Sequence, residues 1–135
     1  MITRSIRIRR HADVARVVLH AWKLGLECGL DTITTTLIAT SASELAQNII
    51  NHAESGVIYI RMVCRDGDAG IEVIAVDRGP GIADVTAAMG AHFSTSGTLG
   101  LGLPGVERMM DELAIETDPA SGTRVTARKW HRVRR

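Results

Sequence analysis

The chain has 135 residues, a length that predicts a single domain over residues 1–135 whose core needs no disulfide or metal. Hydrophobic residues make up 45% of the chain and charged residues 23%, which excludes a disordered protein, and the aromatic fraction of 3% excludes a platform for stacking nucleic-acid bases. The net charge of +1, two distant cysteines and the lack of a long apolar run predict a cytoplasmic protein that neither spans a membrane nor holds zinc.

The first part of the chain predicts one strand and two helices. Apolar and polar residues alternate over residues 2–9, as they do in a strand. Apolar residues then recur at helical spacing over residues 12–28, and Gly29 follows as a natural stop. A second helix is predicted from residue 31 or 32 to residue 53, and its start is poorly defined because threonine has low helix propensity.

The middle of the chain predicts a hairpin followed by a long loop. Residues 57–63 and 71–76 alternate like strands on either side of the turn residues 66–70. Residues 78–103 are rich in glycine and predict a long loop with one short helix near residues 84–89, and loops of this length are typically functional or disordered.

The last part predicts one more helix and two strands. Pro104 suits a first helical turn, so a third helix is predicted over residues 104–113. Strands are predicted over residues 114–117 and 123–131. The element order indicates an α+β sandwich in which one mixed sheet carries helices on one face.

Basic residues concentrate near the two ends of the chain. Residues 4–16 carry five arginines and one acid, and residues 124–135 carry six basic residues and no acid. Arginines on two edge strands would discourage edge-to-edge pairing. A basic surface that docks an acidic partner is a second explanation, and nucleic-acid binding is a third, although no motif that reads nucleic acid accompanies the charge.

Three polar segments depart from what a packed core requires, and the first lies on the second predicted helix. Glu44, Asn48 and His52 follow one another at four-residue spacing, so they rise along one helical face. Such a row is either a solvated stripe or a site that offers a carboxylate base and an amide oxygen for a hard cation.

The second segment directly follows a predicted apolar strand. Asp77 precedes Gly79 and Gly81, and the glycines would let the backbone approach a flat ligand whose exocyclic amine donates to the carboxylate. The alternative is a tight turn that Asp77 caps.

The third segment is a glycine run that opens the third predicted helix, where backbone N–H groups favour an anion. Gly100, Gly102 and Gly105 match the dinucleotide-binding fingerprint, but no apolar strand precedes them and too few residues follow for that fold. A Walker A loop is also excluded, because no Lys-Ser/Thr pair follows the glycines.

In this order, the three segments resemble the N box and the two glycine boxes of the Bergerat-fold (GHKL) ATP-binding superfamily. Within it the chain is most similar to the RsbT type of serine/threonine switch kinase, which is related to the anti-sigma factor kinases. The resemblance covers nearly the whole chain, including Lys129 and Trp130 near its end. It implies a two-layer sandwich with a glycine-rich ATP lid.

The resemblance also implies roles for individual residues. Glu44 would be the general base toward a serine or threonine hydroxyl, Asn48 would hold Mg²⁺ on the ATP phosphates, and Asp77 would accept from the adenine amine. The remaining nucleotide-binding residues that it implies are Gly79, Gly81, Gly100, Gly102 and Thr123.

The implied function is an ATP-dependent and Mg²⁺-dependent serine/threonine protein kinase of a bacterial stress response. Its substrates would be STAS-domain proteins of a stressosome, and after release it would activate a metal-dependent phosphatase regulator. The alternative is an anti-sigma factor that binds a sigma subunit, with ATP as a conformational ligand. Glu44 favours the enzyme, because a nucleotide sensor needs Asn48 and Asp77 but no base. Residues 131–135 extend past the usual end of this type, and their role stays open.

Overall fold

A computed structural model describes residues 3–79, 102–118 and 120–131 of the chain. These residues form five strands and three helices, in the order β1, α1, α2, β2, β3, α3, β4, β5. Their bounds are β1 Thr3–Ile8, α1 Ala12–Glu27, α2 Thr32–His52, β2 Gly56–Arg65, β3 Asp68–Asp77, α3 Leu103–Met109, β4 Glu112–Asp118 and β5 Gly122–His131. The short helix predicted near residues 84–89 and most of the predicted lid lie outside the described residues.

The strands form one sheet in the order β1-β2-β3-β5-β4, and every neighbouring pair in the described residues is antiparallel. The α+β prediction is confirmed, but the expectation of a mixed sheet was wrong. The reason lies in the last hairpin. β4 runs parallel to β3, but β5 turns back and inserts between them, so the two parallel strands never pair.

The core lies between the three helices and one face of the sheet, as the sequence predicted. Alternate strand residues point at the helices, among them Ile6 and Ile8 of β1 and Ile58 and Ile60 of β2, all fully buried. Burial of each such isoleucine contributes about 1.5–3 kcal/mol. α2 is the central helix of this layer and packs against both α1 and α3.

The poorly defined start of α2 is settled by hydrogen bonds of its own side chains. The Asp31 carboxylate accepts the Thr34 backbone N–H at 2.6 Å and caps the helix. This bond lowers the pKa of Asp31. The hydroxyl of Thr35 donates to the Asp31 carbonyl, and that of Thr36 to the Thr32 carbonyl. These threonines are poor helix formers, and both turn their hydroxyls back to carbonyls four residues earlier in the first turns.

The third helix is shorter than predicted, and the strand after it is longer. α3 ends at Met109 instead of residue 113, and β4 begins at Glu112. Asp111 explains the difference, because its N–H donates to the Arg128 carbonyl and its carboxylate accepts the Trp130 N–H at 2.8 Å. Pairing with β5 thus withdraws these residues from the helix.

A row of charges crosses the outer face of the sheet, which no described helix covers. Arg61, Glu72, Arg128 and Glu112 stand opposite one another on four adjacent strands and are joined by ion pairs. We call these four residues the charge ladder. The Glu72 residue is only 1% exposed. The arginines of the C-terminal segment therefore do not all lie on an edge strand. β5 is an interior strand, and Arg128 neutralises carboxylates on the neighbouring strands β3 and β4.

Candidate functional site

The row predicted on the second helix is present on α2. Glu44, Asn48 and His52 are each half-buried, beside the fully buried Leu45 and Ile49. The three polar side chains therefore rise along the border between the core and the solvent. His52 is the last residue of the helix, so the row ends where the chain leaves α2.

The structure brings Glu44 against the start of α3. A Cβ built on Gly102 would lie 2.5 Å from the Oε2 atom of Glu44. Gly102 also has a φ of +66°, in the left-handed region that favours glycine. A side chain at Gly102 would be strained and would displace the carboxylate. The glycine thus brings Glu44 to the exit of the glycine-rich segment.

Asp77 ends β3, as predicted, and its carboxylate shapes the turn that follows. The Gly79 N–H donates to Oδ1 of Asp77 at 2.8 Å. Among the described residues, no hydrogen bond to the other oxygen, Oδ2, is found. The half-buried carboxylate is held by one oxygen and retains acceptor capacity at the other, so the turn-capping and ligand-binding interpretations of Asp77 are compatible.

Gly79 joins this turn to the end of α2. A Cβ on Gly79 would lie 2.7 Å from the His52 carbonyl oxygen and 2.9 Å from the Ala53 Cβ. The turn after β3 and the end of the polar row on α2 are therefore neighbours. Gly81 and Gly100, the other two predicted glycines, lie outside the described residues.

Thr123, the residue that the resemblance implies near the adenine, lies beside Asp77. The two are register partners on β5 and β3. Thr123 is 8% exposed, and its hydroxyl is 3.0 Å from that of Thr117. Its position is thus fixed from both neighbouring strands.

Sequence reasoning missed two glycines that frame Asp77. Gly122 has a φ of +96°, and a Cβ there would collide with the Asp77 carbonyl oxygen. Gly56 is the register partner of Asp77 on β2, and a Cβ there would lie 2.5 Å from the Val76 carbonyl oxygen. In the sequence, each of these two glycines is recognisable only as a glycine at the start of a strand. Glycines are common in such turns, so this position alone does not indicate a functional site.

An open cleft of about 640 Å³ lies beside the Asp77 turn. Its lining comes from the end of α2 and the two loops that follow α2 and β3: Asn51, His52, Ala53, Glu54, Ser55, Arg78 and Gly79. The cleft includes two residues that the sequence singled out, His52 and Gly79, while Asn48 and Glu44 lie one and two turns before His52 along α2. The row on α2 therefore extends from the cleft toward the start of α3.

The donor set suits a shared magnesium ion better than a cage made by the protein. No cluster of three or more His, Cys, Asp or Glu side chains with metal-binding geometry occurs in residues 3–79, 102–118 and 120–131. Mg²⁺ commonly takes few protein oxygens and completes its shell with phosphates and water. The half-buried Asn48 amide, at the border of the core, fits such a single ligand.

The chain is similar to known proteins over most of its length. The family model for the histidine kinase-like ATPase domain matches residues 7–129. The serine/threonine-protein kinase RsbT of Bacillus subtilis is 41% identical over 127 residues, covering 94% of this chain and 96% of that protein. The anti-sigma F factor of Caldanaerobacter subterraneus is 37% identical, with 90% and 86% covered, and that of Clostridium botulinum strain Eklund 17B is 34% identical, with 85% and 82% covered. No helix in the described part of the chain is long and apolar enough to cross a membrane.

Proposed function

Because this chain belongs to the histidine kinase-like ATPase family, we propose that it is a cytoplasmic ATP-dependent protein kinase that phosphorylates serine or threonine. Its likeness to the kinase RsbT over almost the full length of both proteins supports transfer to a protein hydroxyl. The observation that carries the proposal is the contact between Glu44 and Gly102. It puts a carboxylate at the exit of the segment that the resemblance identifies as the ATP lid.

The cleft beside Asp77 is the proposed base pocket. The Oδ2 atom of Asp77, to which no described residue donates, would accept a hydrogen bond from the adenine amine, and Gly79 lines the cleft that would take the ring. A guanine base offers a carbonyl at the same position, and that oxygen would be repelled by the carboxylate. Thr123 would complete the pocket from β5.

Asn48 lies between the base pocket and Glu44 and is the proposed magnesium ligand. A Mg²⁺ ion bound there would neutralise charge on the phosphate oxygens. Gly102, together with Gly100, would present backbone N–H groups to those oxygens. The residues along α2 would thus align the triphosphate toward Glu44.

Glu44 would receive the proton during transfer. The serine or threonine oxygen of the partner attacks the γ-phosphorus, the bond from that phosphorus to the β–γ bridging oxygen breaks, and ADP leaves. The hydroxyl proton passes to the Glu44 carboxylate. Positioning and charge neutralisation supply most of the rate acceleration in such reactions, and a positioned base contributes about 10²–10⁴-fold.

The proposed partners follow from the RsbT likeness. The substrates would be STAS-domain proteins of a stressosome-type module, and the released kinase would bind and activate a metal-dependent phosphatase regulator. The second candidate function is an anti-sigma factor that binds a sigma subunit, and the likeness to the anti-sigma F factors favours it. Binding of this kind would use ATP as a conformational ligand and would not need Glu44.

The deciding experiment incubates the purified chain with γ-³²P-labelled ATP, Mg²⁺ and a STAS-domain protein. We expect label on a serine or threonine of the partner, and Glu44→Gln should slow this transfer by about 10²-fold or more while ATP still binds. Asn48→Ala should lose ATP binding and transfer together. Glu107→Gln on the exposed side of α3 is the matched control and should behave like the wild type.

Two results would count against the kinase. A stable complex with a sigma subunit, without label on any STAS protein, would favour the anti-sigma function. Transfer at the wild-type rate by Glu44→Gln would show that Glu44 is a solvated helix residue and not a base.

A further inference from the structure

Three polar side chains stand opposite one another at one end of the sheet. Thr123 of β5 is the register partner of Asp77 on β3 and of Thr117 on β4. The residue two positions away on each strand packs in or against the hydrophobic core: Ala75, Val125 and Ile115. Because side chains alternate along a strand, the three polar residues also face the helix side of the sheet. We call Asp77, Thr123 and Thr117 the cross-strand row.

One end of the cross-strand row lies at the cleft beside Asp77. The Gly79 N–H donates to the Asp77 carboxylate at 2.8 Å, and Gly79 lines that cleft. Gly122 has no Cβ, which lets β5 approach the Asp77 carbonyl oxygen closely at this point. The row therefore runs from the proposed base pocket across β5 to β4.

A hydrogen bond joins the two hydroxyl groups of the row. The Oγ1 atoms of Thr117 and Thr123 are 3.0 Å apart, and Thr123 is 8% exposed. Within residues 3–79, 102–118 and 120–131, no other hydrogen bond of the Thr123 hydroxyl is found. A hydroxyl carries one proton and rotates to suit its partners. The bond with Thr117 therefore determines which way the Thr123 proton points.

Recognition of adenine would require one of the two possible directions of this bond. On the edge of adenine that carries the amine, the neighbouring ring nitrogen N1 accepts a hydrogen bond. A carboxylate beside a donating hydroxyl matches this pair of groups, whereas guanine offers a carbonyl and an N–H there and mismatches both. Because Thr123 has a single proton, it can donate to N1 only if it accepts from Thr117.

We propose that Thr117 is a positioning residue for ATP, whose hydroxyl donates to Thr123 and thereby directs the Thr123 proton toward N1 of the adenine. This inference rests on the proposed function, in which Asp77 binds the adenine amine. Two hydroxyls in series also polarise each other, which strengthens the bond to the base. Thr117 acts through Thr123 on base recognition, so it should change the affinity and the KM for ATP but not kcat.

The test compares ATP with 1-deaza-ATP, in which a C–H group replaces N1 and the amine is kept. Calorimetry in the presence of Mg²⁺ measures both affinities. We expect the wild-type chain to bind ATP about 3- to 10-fold more tightly, as one neutral hydrogen bond would give. Thr117→Val has nearly the same shape but no hydroxyl. It should weaken ATP by a similar factor and leave 1-deaza-ATP unchanged, so that the discrimination disappears.

Further variants separate the hydroxyl from effects on the fold. Thr117→Ser keeps a hydroxyl and should restore the preference for ATP. Thr126→Val is the matched control, because Thr126 lies between the buried Val125 and Ala127 of β5 and faces the outer side of the sheet. It should bind both nucleotides like the wild type. Circular dichroism and urea unfolding check each variant, and Thr117→Ala supplies the readout if the valine variant does not fold.

Four outcomes would overturn the proposal. The first is a wild-type chain that binds ATP and 1-deaza-ATP equally, and the second is a Thr117→Val variant that keeps the wild-type affinity for ATP. The third is an equal loss for both nucleotides, which would show a structural role, and the fourth is a Thr117→Ser variant that behaves like Thr117→Val. A wild-type chain that binds neither nucleotide would instead refute the proposed function, so the two failures are distinguishable.

Discussion

Carboxylates on the two sides of the sheet differ in their ion pairing. On the outer face, Glu72 and Glu112 are held by arginines in the charge ladder. On the helix side, Glu44 and Asp77 have no ion pair in the described part of the chain, although both are half-buried. A carboxylate whose charge is already neutralised supports the fold, and one that is positioned but unpaired remains available to a ligand.

Both acids of the charge ladder, Glu72 and Glu112, have lowered pKa values. Burial raises the pKa of Glu72, but hydrogen bonds from Arg61 and Arg128 outweigh burial and hold the pKa below its ordinary value. The hydrogen bonds from Arg65 and from the Trp130 indole lower the pKa of Glu112 to about 2. Both groups are therefore charged at neutral pH and fixed by their partners.

The largest effect on stability is expected at Glu72. Glu72→Ala leaves Arg61 and Arg128 without their shared partner, and breaking a buried pair costs about 3–5 kcal/mol. Because the two arginine side chains are 44% and 32% exposed, we expect the lower end, about 3 kcal/mol, in urea unfolding. Affinity for ATP should not change. The milder Glu72→Gln provides a readout if the alanine variant does not fold.

Glu116→Ala is the control for this variant, since Glu116 is an exposed acid on β4 of the same sheet. It should change stability by about 0.5 kcal/mol or less. An equal loss from both substitutions would contradict the special role of the ladder.

Asp77→Asn should give the opposite pattern, with weaker ATP binding and an unchanged fold. The amide oxygen of asparagine can still accept the Gly79 N–H, but the charge proposed to hold the adenine amine is lost. A hydrogen bond to a charged group contributes about 1.5–3 kcal/mol, so calorimetry should show a loss of affinity of about 10- to 150-fold.

Asp118→Asn is matched to Asp77→Asn in local geometry. Asp118 ends β4 and accepts the Ala120 N–H at 2.8 Å, just as Asp77 ends β3 and accepts from Gly79. This variant should bind ATP normally. Equal affinity of the wild type and Asp77→Asn would remove Asp77 from the base pocket.

Acid should weaken the ladder, and Glu112 gives the smallest of the effects. Its pKa in the folded chain, about 2, lies below the ordinary value of 4.5. The stability that its ionised form contributes is thus present above pH 4.5 and is lost as the pH falls toward 2. The urea midpoint should decline across this window, and Glu112→Gln should flatten the decline. A parallel decline in both proteins would assign the acid sensitivity to other groups.

The amino-acid sequence by itself determined the positions of the candidate site residues within their elements. Helical periodicity aligns Glu44, Asn48 and His52 on one face of α2, and the switch to apolar alternation puts Asp77 at the end of β3. These are local properties, fixed by backbone geometry over a few residues. The same holds for Gly29, whose positive φ ends the turn after α1.

The tertiary structure decided which of these elements meet. The approach of Glu44 to Gly102 joins residues 58 positions apart, and the contact of Gly122 with Asp77 depends on β5 inserting between β3 and β4. The same insertion made the sheet antiparallel and turned Arg128 from an expected edge residue into a partner of Glu72. Side-chain period and propensity describe a single element, whereas strand order depends on how the whole chain buries its apolar faces.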